Sequence, residues 1–216
     1  MSPAMKGADP GTITVTGTGR VSIEPDVADL RLGVSAARPT VSAARAEAAS
    51  LMTAIIKAVA SGGVDRRDIR TSLVSVQPRY DYRDGTPPVV VGYEFTNVVE
   101  ATIRDLTRVG EVIDGALGAG ATSLDGLSFR VDDPRPTERR ARLGAMTNAR
   151  ARADVLAEAA GLSITGVVDI VEGIALAPPS PMMRADRMMA AAEVDTPIEA
   201  GLSVISITVR VTYRVS

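Results

Sequence analysis

Two methionine pairs, Met182-Met183 and Met188-Met189, form the densest run of chemically soft side chains in the sequence. Thioethers can ligate cuprous ion, take up oxidant as sulfoxide, or make an adaptable apolar contact. No histidine or cysteine stands beside them to fix a metal, because the 216-residue chain contains neither. The spacing therefore favours protein contact, with oxidant scavenging and metal or small-molecule binding as the alternative. The same two absences remove the thiolate nucleophile, the Cys-type zinc site, the disulfide and the usual general base at neutral pH. What remains is a hydroxyl, carboxylate and arginine inventory. A Ser-Lys pair would have to use Lys6, near the terminus, or Lys57, on a helix, since these are the only lysines among 24 basic residues. The carboxylate pairs Asp132-Asp133 and Asp81/Asp84 sit beside prolines or in a turn, where capping explains them. Arg135, Arg139, Arg142 and Arg150 fall mostly along one helical face and could hold a phosphate, but Glu138, Asp154 and Glu158 lie among them and predict an ion-paired, solvated surface. Gly17-Thr18-Gly19 lacks the third glycine of a dinucleotide fingerprint and reads as a β-turn. The residues thus imply no catalytic group, no cofactor and no metal ligand, and a protein that is not an enzyme.

Composition narrows the partners. Net charge is −2 with both signs interspersed, aromatics are 3% of the chain and tryptophan is absent. Nothing here suits a nucleic acid, which asks for a basic stripe and stacking platforms. No stretch approaches the roughly 20 apolar residues of a membrane span. The first eleven residues carry no apolar run, so the chain as written reads as cytoplasmic, or as periplasmic or envelope-located if a leader has been removed.

Periodicity then supplies the elements that must position any working surface. Residues 1–11 read as a flexible lead-in and residues 12–216 as one domain, with a Met/Pro-rich loop at 174–200. Thr12–Thr16 and Leu30–Ala36 alternate as strands. A helix opens at Thr40, with a stripe of Val41, Ala44, Ala48, Leu51, Ile55 and Val59, and stops at Gly62-Gly63. Ile69–Gln77 is apolar on both faces, which predicts a bulge or a fully buried strand. After a turn at Asp84-Gly85, Val89, Val91, Tyr93, Phe95, Val99, Ala101 and Ile103 alternate along one strand of about 50 Å at 3.3 Å per residue, so it must bend across two sheets or project. A helix over Leu106–Leu117, a strand through Leu127 and Phe129, and a long helix with a stripe of Leu143, Met146, Ala149, Ala153, Leu156 and Ala160 follow. Two β-rich segments, Ile164–Val171 and Ile205–Tyr213, close the chain. The sum is an α+β fold with a mixed, largely antiparallel sheet, three amphipathic helices and a weak strand-helix-strand repeat. Met182, Met183, Met188, Met189, Tyr93 and Phe95 are the candidate interaction or oligomer contacts.

The segments TGTGRVSIEPDVADL, DIRTSLVSVQPRYDY, GYEFTNVVEATIRDL, GEVIDGALGAGATSLDGLSF and PSPMMRADRMM run in this order through most of the chain. Together they resemble the SIMPL-domain family, formerly a domain of unknown function. The resemblance implies a mixed α/β domain that is often exported. It also implies that the chain is a homo-oligomer, with ring- or channel-like assemblies in some members, linked to oxidative-stress tolerance in bacteria. It carries no catalytic residues over to this sequence.

Overall fold

The computed structural model describes residues 11–82, 87–173 and 198–216. Most of the lead-in, the turn at Asp84-Gly85 and most of the 174–200 loop, with all four of its methionines, lie outside the described residues. Strands β1 (Gly11–Ile23), β2 (Val27–Arg38), β3 (Ile69–Asp81), β4 (Val89–Ile103), β5 (Ser123–Arg130), β6 (Ile164–Gly173) and β7 (Ser203–Val215) form two antiparallel sheets. Helices α1 (Val41–Ser61), α2 (Val109–Gly118) and α3 (Arg135–Ala159) cover them, giving the α+β class that the periodicity predicts. The described residues cluster into two compact units: residues 25–132 with 198–200, and residues 11–24, 133–173 and 201–216.

In the first unit the strand order is β3-β4-β2-β5. β2 and β3 both run antiparallel to β4, which separates them, and β4 and β5 are likewise separated by β2. Each β-α-β repeat is therefore split by a strand of the other, the β-α-β-β-α-β arrangement of ferredoxin-like domains. This reconciles parallel strand-helix-strand units with a sheet whose every described hydrogen-bonded pair is antiparallel. Local chemistry sets the boundaries. Thr40 accepts the Ala43 N–H and caps α1, and Gly63, at φ +94°, turns the chain out of it. The helix buries Ala44, and packs Ala48, Met52, Ile55 and Val59 in one cluster with Leu30, Leu32, Val34, Val99 and Ala101 of the sheet. Met52 takes a full core position, while Leu51 is half-buried beside it. β3 has the expected bulge, between Thr71 and Leu73, but as the sheet's edge it is exposed on both faces rather than buried.

In the second unit the order is β1-β7-β6, with the strictly alternating β7 at the centre and α3 across β1 and β7. Gly17 and Gly19 make no turn here. They lie within the thirteen-residue β1, under α3, where a Cβ on Gly17 would stand 2.1 Å from the Ala145 carbonyl oxygen and one on Gly19 would stand 1.9 Å from that of Ala141. The helix approaches this closely because its buried stripe is Ala141, Ala145, Ala149, Ala153 and Ala157, one small side chain per turn. The expected stripe through Leu143 and Leu156 is corrected accordingly: Leu143 is 61% exposed and Leu156 also faces solvent. Tyr213 fills the space that the alanines leave, buried on β7 with the Arg150 guanidinium 5.8 Å from its ring centre.

Candidate functional site

The register of β4 answers the question its length poses. Its pairing with β2 ends at Tyr93 opposite Arg38, whereas its pairing with β3 continues to Val89 opposite Asp81. Val89–Gly92 and Arg79–Asp81 are thus paired only with each other and extend past the sheet body as a two-stranded hairpin. The side chains there are apolar and open: Tyr82 is 76% exposed, Val89 is 63% exposed, and Tyr80, Val90 and Val91 are exposed with them. The Tyr80 and Tyr82 rings lie 6.2 Å apart, tilted. Further along the same edge, Val74 and Val76 are exposed opposite Asn97 and Phe95, because α1 packs over β2 and β4 and leaves β3 at the rim. Of the two aromatic contacts expected from the sequence, Phe95 packs partly against the core and Tyr93 is half-buried at the root of the hairpin. Tyr80, Tyr82 and the Val89–Val91 run carry more free surface than either. The sequence marks them only as a valine run and two tyrosines, since nothing in it tells where β2 stops.

One cluster of charged groups in this unit is committed to itself. Arg104 donates from Nε to Asp68 Oδ2 at 2.9 Å and from Nη1 to Asp132 Oδ2 at 2.6 Å. Arg130 donates to Asp29 Oδ2 at 2.6 Å and to Asp132 Oδ1 at 3.0 Å, Thr102 donates to Asp29, and the Asp132 N–H donates to Asp26 Oδ1 at 2.7 Å. The hydrogen bonds from Arg104 hold the Asp68 and Asp132 carboxyls below the ordinary aspartate value. Burial pushes Asp29 up, but the bonds from Arg130 and Thr102 outweigh it and the net shift is downward. Carboxylates held ionised between guanidiniums are poor general acids and weak bases, so this network is a clasp joining β2, β4, the turn before β3 and the end of β5.

An open cavity of about 330 Å³ beside it is lined by Asp29, Arg31, Glu100, Asp125, Gly126, Leu127 and Ser128. Asp29 is tied to Arg130 there and Glu100 to Arg70, 2.7 Å away. Among the described residues no group of three or more acidic side chains is placed to hold a metal ion. Of the four arginines singled out on α3, three are ion-paired: Arg142 to Glu138 and Arg150 to Asp154 as their neighbours predict, and Arg142 also to Glu172 and Arg135 to Asp133, which lie outside that set.

Comparison with known proteins gives this architecture a context. The model of the SIMPL family, described as "Protein of unknown function (DUF541)", matches residues 13–213. The "26 kDa periplasmic immunogenic protein" of Brucella melitensis is 32% identical over 213 residues, covering 95% of this chain and 85% of that one. Its counterpart in Brucella abortus has the same identity and coverage. The "Uncharacterized protein YggE" of Escherichia coli K12 is 30% identical over 172 residues, 80% of this chain and 70% of that one. The cytoplasmic placement expected from the first residues is overturned by this likeness, because relatives aligned along nearly the whole chain are named as periplasmic. None of these relatives is named as an enzyme.

Proposed function

This chain belongs to the SIMPL family, and from that premise we propose that it is a periplasmic, non-enzymatic protein that works by assembling with copies of itself into a ring- or channel-like homo-oligomer. The observation that carries the reading is the β3–β4 hairpin, which runs past its own sheet with Tyr80, Tyr82 and Val89–Val91 unburied. Contiguous apolar surface of this kind on a folded chain marks a contact site. The committed state of the arginines and carboxylates supports a contact protein over a catalyst. The periplasmic names of the Brucella relatives support the location. The link to oxidative-stress tolerance rests on the family resemblance, and Met182, Met183, Met188 and Met189 are further proposed contacts.

Light scattering coupled to size exclusion tests the reading. An assembled wild type is expected at micromolar concentration, with a lower mass when Tyr82 and Val91 are both replaced by serine. A strictly monomeric wild type would overturn it. If replacing the four methionines by serine leaves the mass unchanged, they drop out of the contact set.

A further inference from the structure

We infer that the groove between α3 and the free edge of β1 binds a fatty-acid anion, with its carboxylate on Arg152 and its alkyl chain along Val15, Val155 and Leu156. The groove is open on one side, measures about 580 Å³, and is lined by Val15, Thr16, Ala151, Arg152, Val155 and Leu156. That volume falls within the roughly 300–1,000 Å³ of small-molecule sites. Its lining separates into an apolar length and a polar end. Ala151, Arg152, Val155 and Leu156 are one and four residues apart, so they share one flank of α3 beside the alanine stripe that meets the sheet. Because the stripe takes the smallest side chains, larger ones are left on this flank, Val155 at 65% and Leu156 at 50% exposed. Val15, on the α3-facing side of β1, is only 8% exposed.

At the polar end Arg152 Nη1 donates to the Thr16 carbonyl oxygen at 2.8 Å. Arg135, Arg142 and Arg150 of the same helix each meet a carboxylate. Arg152 meets a neutral acceptor instead, and among the described residues no carboxylate is bonded to it. No acidic residue lies on β1 or lines the groove. The guanidinium is thus held in place with its charge uncompensated and most of its N–H donors unused. Thr16 supplies a further donor. The Thr18 N–H points away from β7 to Asn148 Oδ1 at 3.1 Å, and backbone groups alternate between the two sides of a strand, so the Thr16 N–H faces the same way, beside the carbonyl that Arg152 grips. A fixed guanidinium with a backbone N–H next to it is a carboxylate site.

The occupant follows from charge and from what the rest of the groove lacks. Beyond Arg152 and the Thr16 backbone no polar residue lines it, so the remainder of the ligand must need no hydrogen bonds. An alkyl chain meets that condition. A sugar or nucleotide would set hydroxyls against Val155 and Leu156 at the cost of unpaired polar groups. A peptide ending in a free carboxylate would bring amides for which the apolar length has no partner.

Calorimetric titration of the full chain at neutral pH with decanoate, octanoate and decanol, each below its aggregation concentration, tests the assignment. Decanoate is expected to bind about tenfold more tightly than decanol, as a charge-assisted hydrogen bond implies, and to weaken roughly two- to four-fold for each methylene removed in octanoate. It should also shift the Thr16 amide resonance. Arg152→Gln is expected to bring decanoate down to the affinity of decanol, and Val155→Asp to remove both. Absence of decanoate binding, equal binding by decanol, or unchanged decanoate affinity in Arg152→Gln would overturn the inference. So would tighter binding of a short leucine-rich peptide acid, which would give the groove to a peptide, or a lower assembled mass in Val155→Asp with no response to decanoate, which would give it to a second copy. Should Arg152→Gln fail to fold, the comparison of decanoate with decanol on the wild type still decides.

Discussion

Arg104 shows how little of this protein's charge is free to do chemistry. Its guanidinium joins Asp68, before β3, to Asp132, after β5, and both carboxyls sit below the ordinary value of 3.8 because of it. A depressed carboxyl contributes stability that is present above its unfolded value and is lost as pH falls toward the folded one. Arg104→Gln should therefore lower the urea midpoint at pH 6, with the gap from wild type narrowing as pH drops below about 3.8. Equal gaps at pH 6 and pH 3 would mean that the clasp acts through packing alone. A second residue-scale prediction concerns the glycines of β1. Gly19→Ala must push α3 off the sheet and should cost about 3 kcal/mol in chemical denaturation. Gly110→Ala, in α2 with nothing within 4 Å of the added carbon, should stabilise by roughly 0.5–1 kcal/mol. The sequence conceals this distinction. Gly17-Thr18-Gly19 has the composition of a turn, and what makes it strand is the alanine stripe of α3 more than a hundred residues later. The same stripe explains why Leu143 and Leu156, the natural core choices on that helix, are exposed: the sheet wants the smallest face of α3, and the larger residues go elsewhere.

Elements were more legible than the positions within them, because period and punctuation act over a few residues. The stripe of α1, its threonine cap and its glycine stop needed only the helix repeat, and the alternation of β7 needed only the pleat. Strand order was not legible in the same way. The placing of β4 between β2 and β3, and of β2 between β4 and β5, depends on pairings across the whole unit, and the overhanging hairpin appears only once the register of β2 is fixed. The cover over the middle of the β1 edge is equally non-local, since Asn148 and Arg152 of α3 accept from the Thr18 N–H and donate to the Thr16 carbonyl oxygen. It leads to a prediction at this scale. Asn148→Ala combined with Arg152→Ala removes both side-chain partners and should speed hydrogen exchange at the Thr18 amide. It should also open the middle of the β1 edge to pairing with another chain, seen as species heavier than the wild type. Faster exchange with unchanged mass would limit these residues to satisfying backbone groups.

For the whole molecule, the order of segments along the chain matters as much as the surfaces. The β3-β4-β2-β5 sheet with α1 and α2 is built from residues 25–132 without interruption, while the other unit is assembled from pieces before and after it. A continuous segment inserted into a discontinuous one carries its own nucleus, because every pairing of its sheet and both crossover helices lie within it. The composition gave no hint of this, since apolar and charged residues are spread evenly on both sides of residue 25 and residue 132; nor did it hold any sign against the cytoplasmic reading, which the periplasmic names of the Brucella relatives overturn. The segment 25–132 contains the Arg104 and Arg130 clasp complete, with Asp26, Asp29, Asp68 and Asp132, and among the described residues lacks only the half-buried Ile198 from its core. Losing that side chain should cost about 1 kcal/mol, less than a full aliphatic burial. The fragment 25–132 is therefore expected to fold alone, with a cooperative urea transition and mixed helix-strand circular dichroism. It should also retain the association proposed for the hairpin, because Tyr80, Tyr82 and Val89–Val91 all lie within it. A fragment that folds yet stays monomeric at concentrations where the full chain assembles would place the contact outside residues 25–132, and one that fails to fold would show that the segment depends on the residues before and after it.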